Sequence, residues 1–266
     1  MRASDVTIAP TLETMAGIYR LTREGRAKSP RFVAYLAHAE REWGFSAYNP
    51  MAGPPALDLV KQLLSLGAEG LAQDSAQKVV EQCEFHGPIT LAVVVASPGM
   101  WTDRIATEVQ HRMAGKHTNH SGTVLCWPGE PVNADTIRRE SIAEAVRTMW
   151  TRLRGPAVTL QSVLSQEGLA YALHPEPFAG LVGEAGDGGV SVEQALTVLG
   201  DSPEIADIVG VMYGDEAARH LGWTPLGVAD HAGYRWAVAR AVDAAARIGA
   251  PALLHRPWSA AEVLKT

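Results

Sequence analysis

A chain of 266 residues that is 47% apolar and 20% charged can bury a sizeable core, which excludes a disordered polymer. A net charge of −6 supplies no basic field, so nucleic acid is excluded as an expected partner. The two cysteines, Cys83 and Cys126, exclude a disulfide framework and allow one bridge at most.

The N-terminus lacks the apolar core of a secretory signal, and the longest apolar run, Leu91 to Ala96, is too short to span a bilayer. A cytoplasmic protein with no membrane partner is therefore expected. Thr11 to Arg23 predicts a first helix, with Leu12, Met15, Ile18, Tyr19 and Thr22 at helical spacing. Pro30 opens a second that runs to about Gly44, with Phe32, Tyr35, Leu36 and Ala39 on one face. Pro55–Leu66 follows with a stripe of Leu57, Val60, Leu63 and Leu64. Gly67 and Gly70 predict a loosened stretch, and Asp74 or Ser75 caps a helix to Phe85 that turns Val79, Val80 and Cys83 inward.

Gly87-Pro88 stops that helix. Ile89–Ser97 is the strongest strand signal, apolar on both faces as a strand between helix layers would be. Thr102 or Asp103 caps a helix to about Met113, and Gly122–Trp127 predicts a second strand. Strand, helix, strand at this spacing is a parallel crossover unit over residues 89–127. The remainder reads as helices: Asn133 to Leu153, Thr159 to Leu173, Ser191 to Leu199 from a capping box with Gln194, Ser202 to Met212 or on to His220, and Asp230 to Ile248. Gly249 and Pro251 close the last one. Phe178–Val182 reads as a short strand, and the glycine-rich loop at 183–190 is the one candidate domain boundary. The expected fold class is therefore α/β and helix-rich: a single unit over 1–266, with a small, partly parallel sheet wrapped by many helices.

Four groups of residues could carry chemistry. The first is the turn after the strong strand, with Ser97, Trp101, Thr102, Asp103 and Arg104. Ligands of open α/β sheets sit at the carboxyl ends of strands, where helix N-termini favour anions. There Arg104 could clamp an anionic group, while Ser97, Trp101, Thr102 and Trp127 shape the site. A parallel pairing also brings Glu130 to this edge, and Asp103 or Glu130 could move a proton. The expectation is a hydrolase- or lyase-type enzyme acting on a small anionic metabolite.

The second group is Glu108, His111, His117 and His120, whose density suits a divalent metal and a metal-dependent activity. Asp103 and His111 would lie about 12 Å apart along a helix, so the two groups sit toward opposite poles. The third, Glu216 and His220, has i, i+4 spacing and equally describes a surface pair. The fourth, Gly183–Gly189, lacks the lysine of a phosphate loop and reads as a mobile loop. Arg138, Arg139, Arg147, Arg152 and Arg154, interleaved with Glu140 and Glu144, read as a solvated helix face. A third class of function is a non-catalytic binding or scaffold protein, with a homodimer formed through a long amphipathic helix.

Overall fold

The computed structural model describes residues 6–24, 28–39, 49–96, 121–174, 176 and 189–255. Its sheet has three strands, β1 (Val6–Ala9), β2 (Ile89–Val95) and β3 (Ser121–Cys126), in the order β1-β2-β3. Both pairings are parallel, with Ile8 and Gly122 flanking Leu91. The predicted pairing of the two later strands is therefore present. The central strand is buried along almost its whole length, because helices cover both faces. β1 has no counterpart among the predicted elements. It is only four residues long and is fixed by its partners: the side chains of Gln73 and Gln77 bond the Val6 carbonyl and N–H, closing an outer edge that would otherwise be open.

The helices before β2 are α1 (Thr11–Arg20), α2 (Pro30–Ala39), α3 (Pro54–Leu66) and α4 (Ala68–Gln82). Thr11 Oγ1 donates to the Val93 carbonyl at 2.6 Å, which fastens the start of α1 to the middle of β2. α1 stops at Arg20, three residues short of the expectation, because Leu21 is extended. Gly67 adopts φ 67°, ending α3 and letting α4 begin at once. Gly70 thus lies inside α4, and the predicted start at Asp74 or Ser75 is six or more residues too late.

After β3 come α5 (Ala134–Arg154) and α6 (Leu160–Ala172). Their caps are the predicted ones: Asn133 accepts from the Thr136 N–H, and Thr159 forms a reciprocal box with Ser162. The remaining helices are α7 (Val192–Leu199), α8 (Ile205–Met212), α9 (Asp215–His220), α10 (Ala232–Ile248) and α11 (Ala250–His255). The helix expected from Ser202 cannot run on to His220. Gly214 turns at φ 89°, and a Cβ there would lie 2.6 Å from Asp230 Cα. Asp215 Oδ1 then accepts from the N–H groups of Leu226, Gly227 and Val228, which holds the following turn. Pro251 does not end the chain's helices. It sits in the first turn of α11, where its missing N–H costs nothing.

Eleven helices around three parallel strands, among the described residues, make this a helix-rich α/β fold. One core cluster joins Ile89 and Leu91 to α4, α5, α6, α7, α8 and α10. A second joins Ala92–Val95 to α1 and α3. No helix among the described residues is long and apolar enough to cross a membrane.

The reading of α5 as a solvated face is corrected. Residues 141–151 are buried on every side, including Glu144 and Arg147, because α5 lies between the sheet and α6. Arg138 remains outside, paired with Asp135. Among the described residues, the longest helix is thus interior over 141–151.

α6 and α10 pack closely through Gly168, where a Cβ would stand 2.5 Å from the Ala237 carbonyl oxygen. Gly168→Ala is therefore expected to cost about 1–3 kcal/mol in urea unfolding. Gly70→Ala, at an exposed helix position with nothing within 4 Å, is expected to gain about 0.5–1 kcal/mol in the same measurement.

Candidate functional site at the carboxyl edge of the sheet

β2 and β3 leave the sheet side by side. The Ala96 N–H donates to the Cys126 carbonyl at 2.9 Å, and Trp127 is buried against Ala96. Glu130 is half-buried three residues further on, in a turn closed by its N–H to the Trp127 carbonyl. Of the residues predicted from the sequence, Trp127 and Glu130 are thus brought to one edge. Ser97, Trp101, Thr102, Asp103 and Arg104 lie outside the described residues, as do Glu108, His111, His117 and His120. Among the described residues, no group of three His, Cys, Asp or Glu side chains could hold a metal. Glu216 and His220 are both exposed on α9, and 183–188 lie outside the described residues.

The same edge carries residues that sequence reasoning missed. α5 starts there and runs back along β3. In its second turn, Arg139 Nε donates to Glu140 Oε1 at 3.1 Å, with side chains 17% and 20% exposed. Tyr171, near the end of α6, donates its hydroxyl to Glu140 Oε2 at 3.2 Å. One turn further along α5, Glu144 accepts from the Thr123 N–H of β3 at 3.3 Å. Its other oxygen accepts from Arg147 Nη1 at 2.5 Å. Arg147 then reaches across to α6, donating to both oxygens of Glu167 at 2.8 and 2.7 Å. All three ionic side chains are at most 5% exposed. Gly122 makes the approach of α5 feasible, since a Cβ there would press on Leu91, Thr148 and Glu144.

Tyr171 connects the buried ions to the edge. The Arg147 guanidinium stands 5.3 Å from the centre of its ring, in cation–π geometry. Tyr234 meets the same ring edge-on at 6.1 Å and donates its own hydroxyl to Tyr213 at 3.1 Å. The tyrosine hydroxyl at Glu140 is therefore held by a ring that cannot easily turn. A carboxylate oriented by a hydroxyl, beside a guanidinium, can bind a polar ligand and exchange a proton with it.

The cysteines are both free and buried. Burial pushes the Cys83 thiol up to about 12. Burial, and secondly the negative charge of Glu140, pushes Cys126 up to about 12 as well. The Glu140 carboxylate is thus close enough for the end of β3 to feel its charge.

Neither thiol is expected to react with a maleimide at pH 7.5 in the folded protein, and both should react in denaturant. Because both values are raised above the ordinary 9.0, this contribution to stability is complete below pH 9. It should fall as pH rises from 9 toward 12, read as a decline in urea midpoint that a Cys83→Ala, Cys126→Ala variant lacks. No protein-family model matches the chain, and no curated protein or solved structure is significantly similar to it.

Proposed function

We propose that the chain is a small-molecule enzyme of hydrolase or lyase type, acting on an anionic metabolite at the carboxyl edge of β2 and β3. The observation that supports this is the parallel pairing that sets Ala96 beside Trp127, so that both strands direct the chain toward one edge. In parallel sheets that edge is where ligands bind, near helix N-termini whose N–H groups favour negative charge. The residues following β2 in the chain include a cation, Arg104, and an acid, Asp103. In this reading Arg104 binds the anionic group, and Ser97, Thr102 and the indoles of Trp101 and Trp127 shape the pocket. Asp103 or Glu130 moves the proton, a role that carboxylates take in general acid–base catalysis.

A thermal-denaturation screen of the full chain against small carboxylates and phosphate esters tests the reading. At least one compound is expected to raise the melting temperature with increasing concentration. Arg104→Gln should then weaken it by about tenfold or more, the worth of a charge-assisted hydrogen bond. A ligand bound equally well by Arg104→Gln and Glu130→Gln would overturn it.

A further inference from the structure

We infer that Arg139 and Glu140, oriented by Tyr171, form a subsite for a small carboxylic acid that carries a hydroxyl or ammonium group beside its carboxylate. The inference rests on the reading of the carboxyl edge as the functional site and adds to it the class of ligand. Three observations carry it. First, the Arg139 guanidinium uses only Nε on Glu140, and among the described residues Nη1 and Nη2 have no hydrogen-bond partner. That leaves the end-on fork of an arginine, whose spacing matches the two oxygens of a carboxylate. Second, each Glu140 oxygen accepts one hydrogen bond, from Arg139 and from Tyr171, and a carboxylate oxygen has room for a second. Third, the pair is built rather than incidental. Neighbouring residues of a helix point apart, yet these two meet at 3.1 Å within the surroundings that enclose them. Here both are about four-fifths buried, and one of those surroundings is Tyr171, itself only 6% exposed.

The charges select the ligand. Arg139 and Glu140 sum to zero, so a simple anion attracted by the guanidinium is repelled by the adjacent carboxylate. A molecule with a carboxylate and a nearby donor satisfies both: its carboxylate meets the free Nη groups and its hydroxyl or ammonium donates to Glu140. The position suits the edge as well. α5 runs back along β3, so that Glu144 bonds Thr123 and Glu140, one turn earlier, lies toward the carboxyl end of the strand, where its charge acts on Cys126.

Titration calorimetry on the full chain with matched acids tests the inference. L-malate and L-aspartate are compared with succinate, L-lactate and L-alanine with propionate, and phenyllactate and phenylalanine with 3-phenylpropionate. Each set shares a carbon skeleton and differs by the donor. The expected result is binding of at least one donor-bearing acid, tenfold or more tighter than its matched acid. Arg139→Lys, which keeps the charge and removes the fork, should weaken that acid by tenfold or more. Tyr171→Phe should reduce the preference for the donor while leaving the matched acid's affinity in place. Absence of any binding, or equal binding within every set, overturns the inference without recourse to a variant. Wild-type affinity in a cooperatively folded Arg139→Lys, with binding lost in Arg104→Gln, overturns the subsite and leaves the site at the edge standing. Binding lost in Arg139→Lys but retained in both Arg104→Gln and Glu130→Gln supports the subsite and overturns the roles given to Arg104 and Glu130.

Discussion

Arg147 is a guanidinium with 2% of its side chain exposed, and much of the remaining architecture is arranged around keeping it there. Removing such a charge from water costs several kcal/mol, and the cost is offset only if its donors find good acceptors. Glu167 takes two of them in fork geometry and Glu144 a third. The two carboxylates stand on different helices, and Glu144 also accepts from the backbone of β3. One ion cluster therefore fixes α5 against α6 and both against the sheet. A uniformly apolar interface of the same volume would stabilise the contact at least as well. What it would not do is penalise a one-residue slip of either helix, which here would strand a buried charge.

The packing around the cluster follows from that constraint. Gly122 removes a side chain where Glu144 must pass. Gly168, next to Glu167, lets α10 press its backbone against α6 and bring Tyr234 to Tyr171. Thr148 returns its hydroxyl to the Glu144 carbonyl, and Ser141 does the same to Ile137, so polar groups inside the helix pair satisfy themselves locally. Arg147 then lies over Tyr171, whose hydroxyl reaches Glu140 at the rim. The sequence of contacts runs from an interior ion cluster, through a pinned aromatic ring, to a carboxylate about four-fifths buried at the rim. Pre-organisation of this kind, a polar group at the rim supported by a rigid shell beneath it, is what a binding or catalytic site requires.

Much of the scaffold is legible from residues alone. The run Ile89–Ser97 predicts a strand covered on both faces, present as Ile89–Val95, and Asn133, Thr159 and Ser191 cap helices as their side chains suggest. β1 is not legible, because four residues carry little periodic signal and are defined by the Gln73 and Gln77 side chains that meet them. Glycine misleads in both directions: Gly70 reads as a breaker but lies within α4, whereas Gly214 ends a helix through tertiary crowding that no local pattern shows. The carboxyl edge is half legible. Trp127 and Glu130 follow from the strand signal, but Glu140 and Tyr171 are 31 residues apart and meet only because α5 and α6 fold back on each other. The misreading of Arg147 and Glu144 has a plain cause. An i, i+3 ion pair has the same spacing on a solvated face and inside a core. A signal against the surface reading does exist: Glu167 is the one charged residue of α6, set among Leu164, Leu169 and Tyr171. A lone acid buried in an otherwise uncharged helix calls for a cation partner.

The most direct test of that central role is the equilibrium unfolding of Arg147→Met, which keeps an unbranched apolar stem and removes the guanidinium with its charge. With Glu144 and Glu167 left buried against each other, the loss should be about 3–5 kcal/mol in urea. A stability within about 0.5 kcal/mol of the parent chain would be the size of an ordinary surface substitution and would contradict the account.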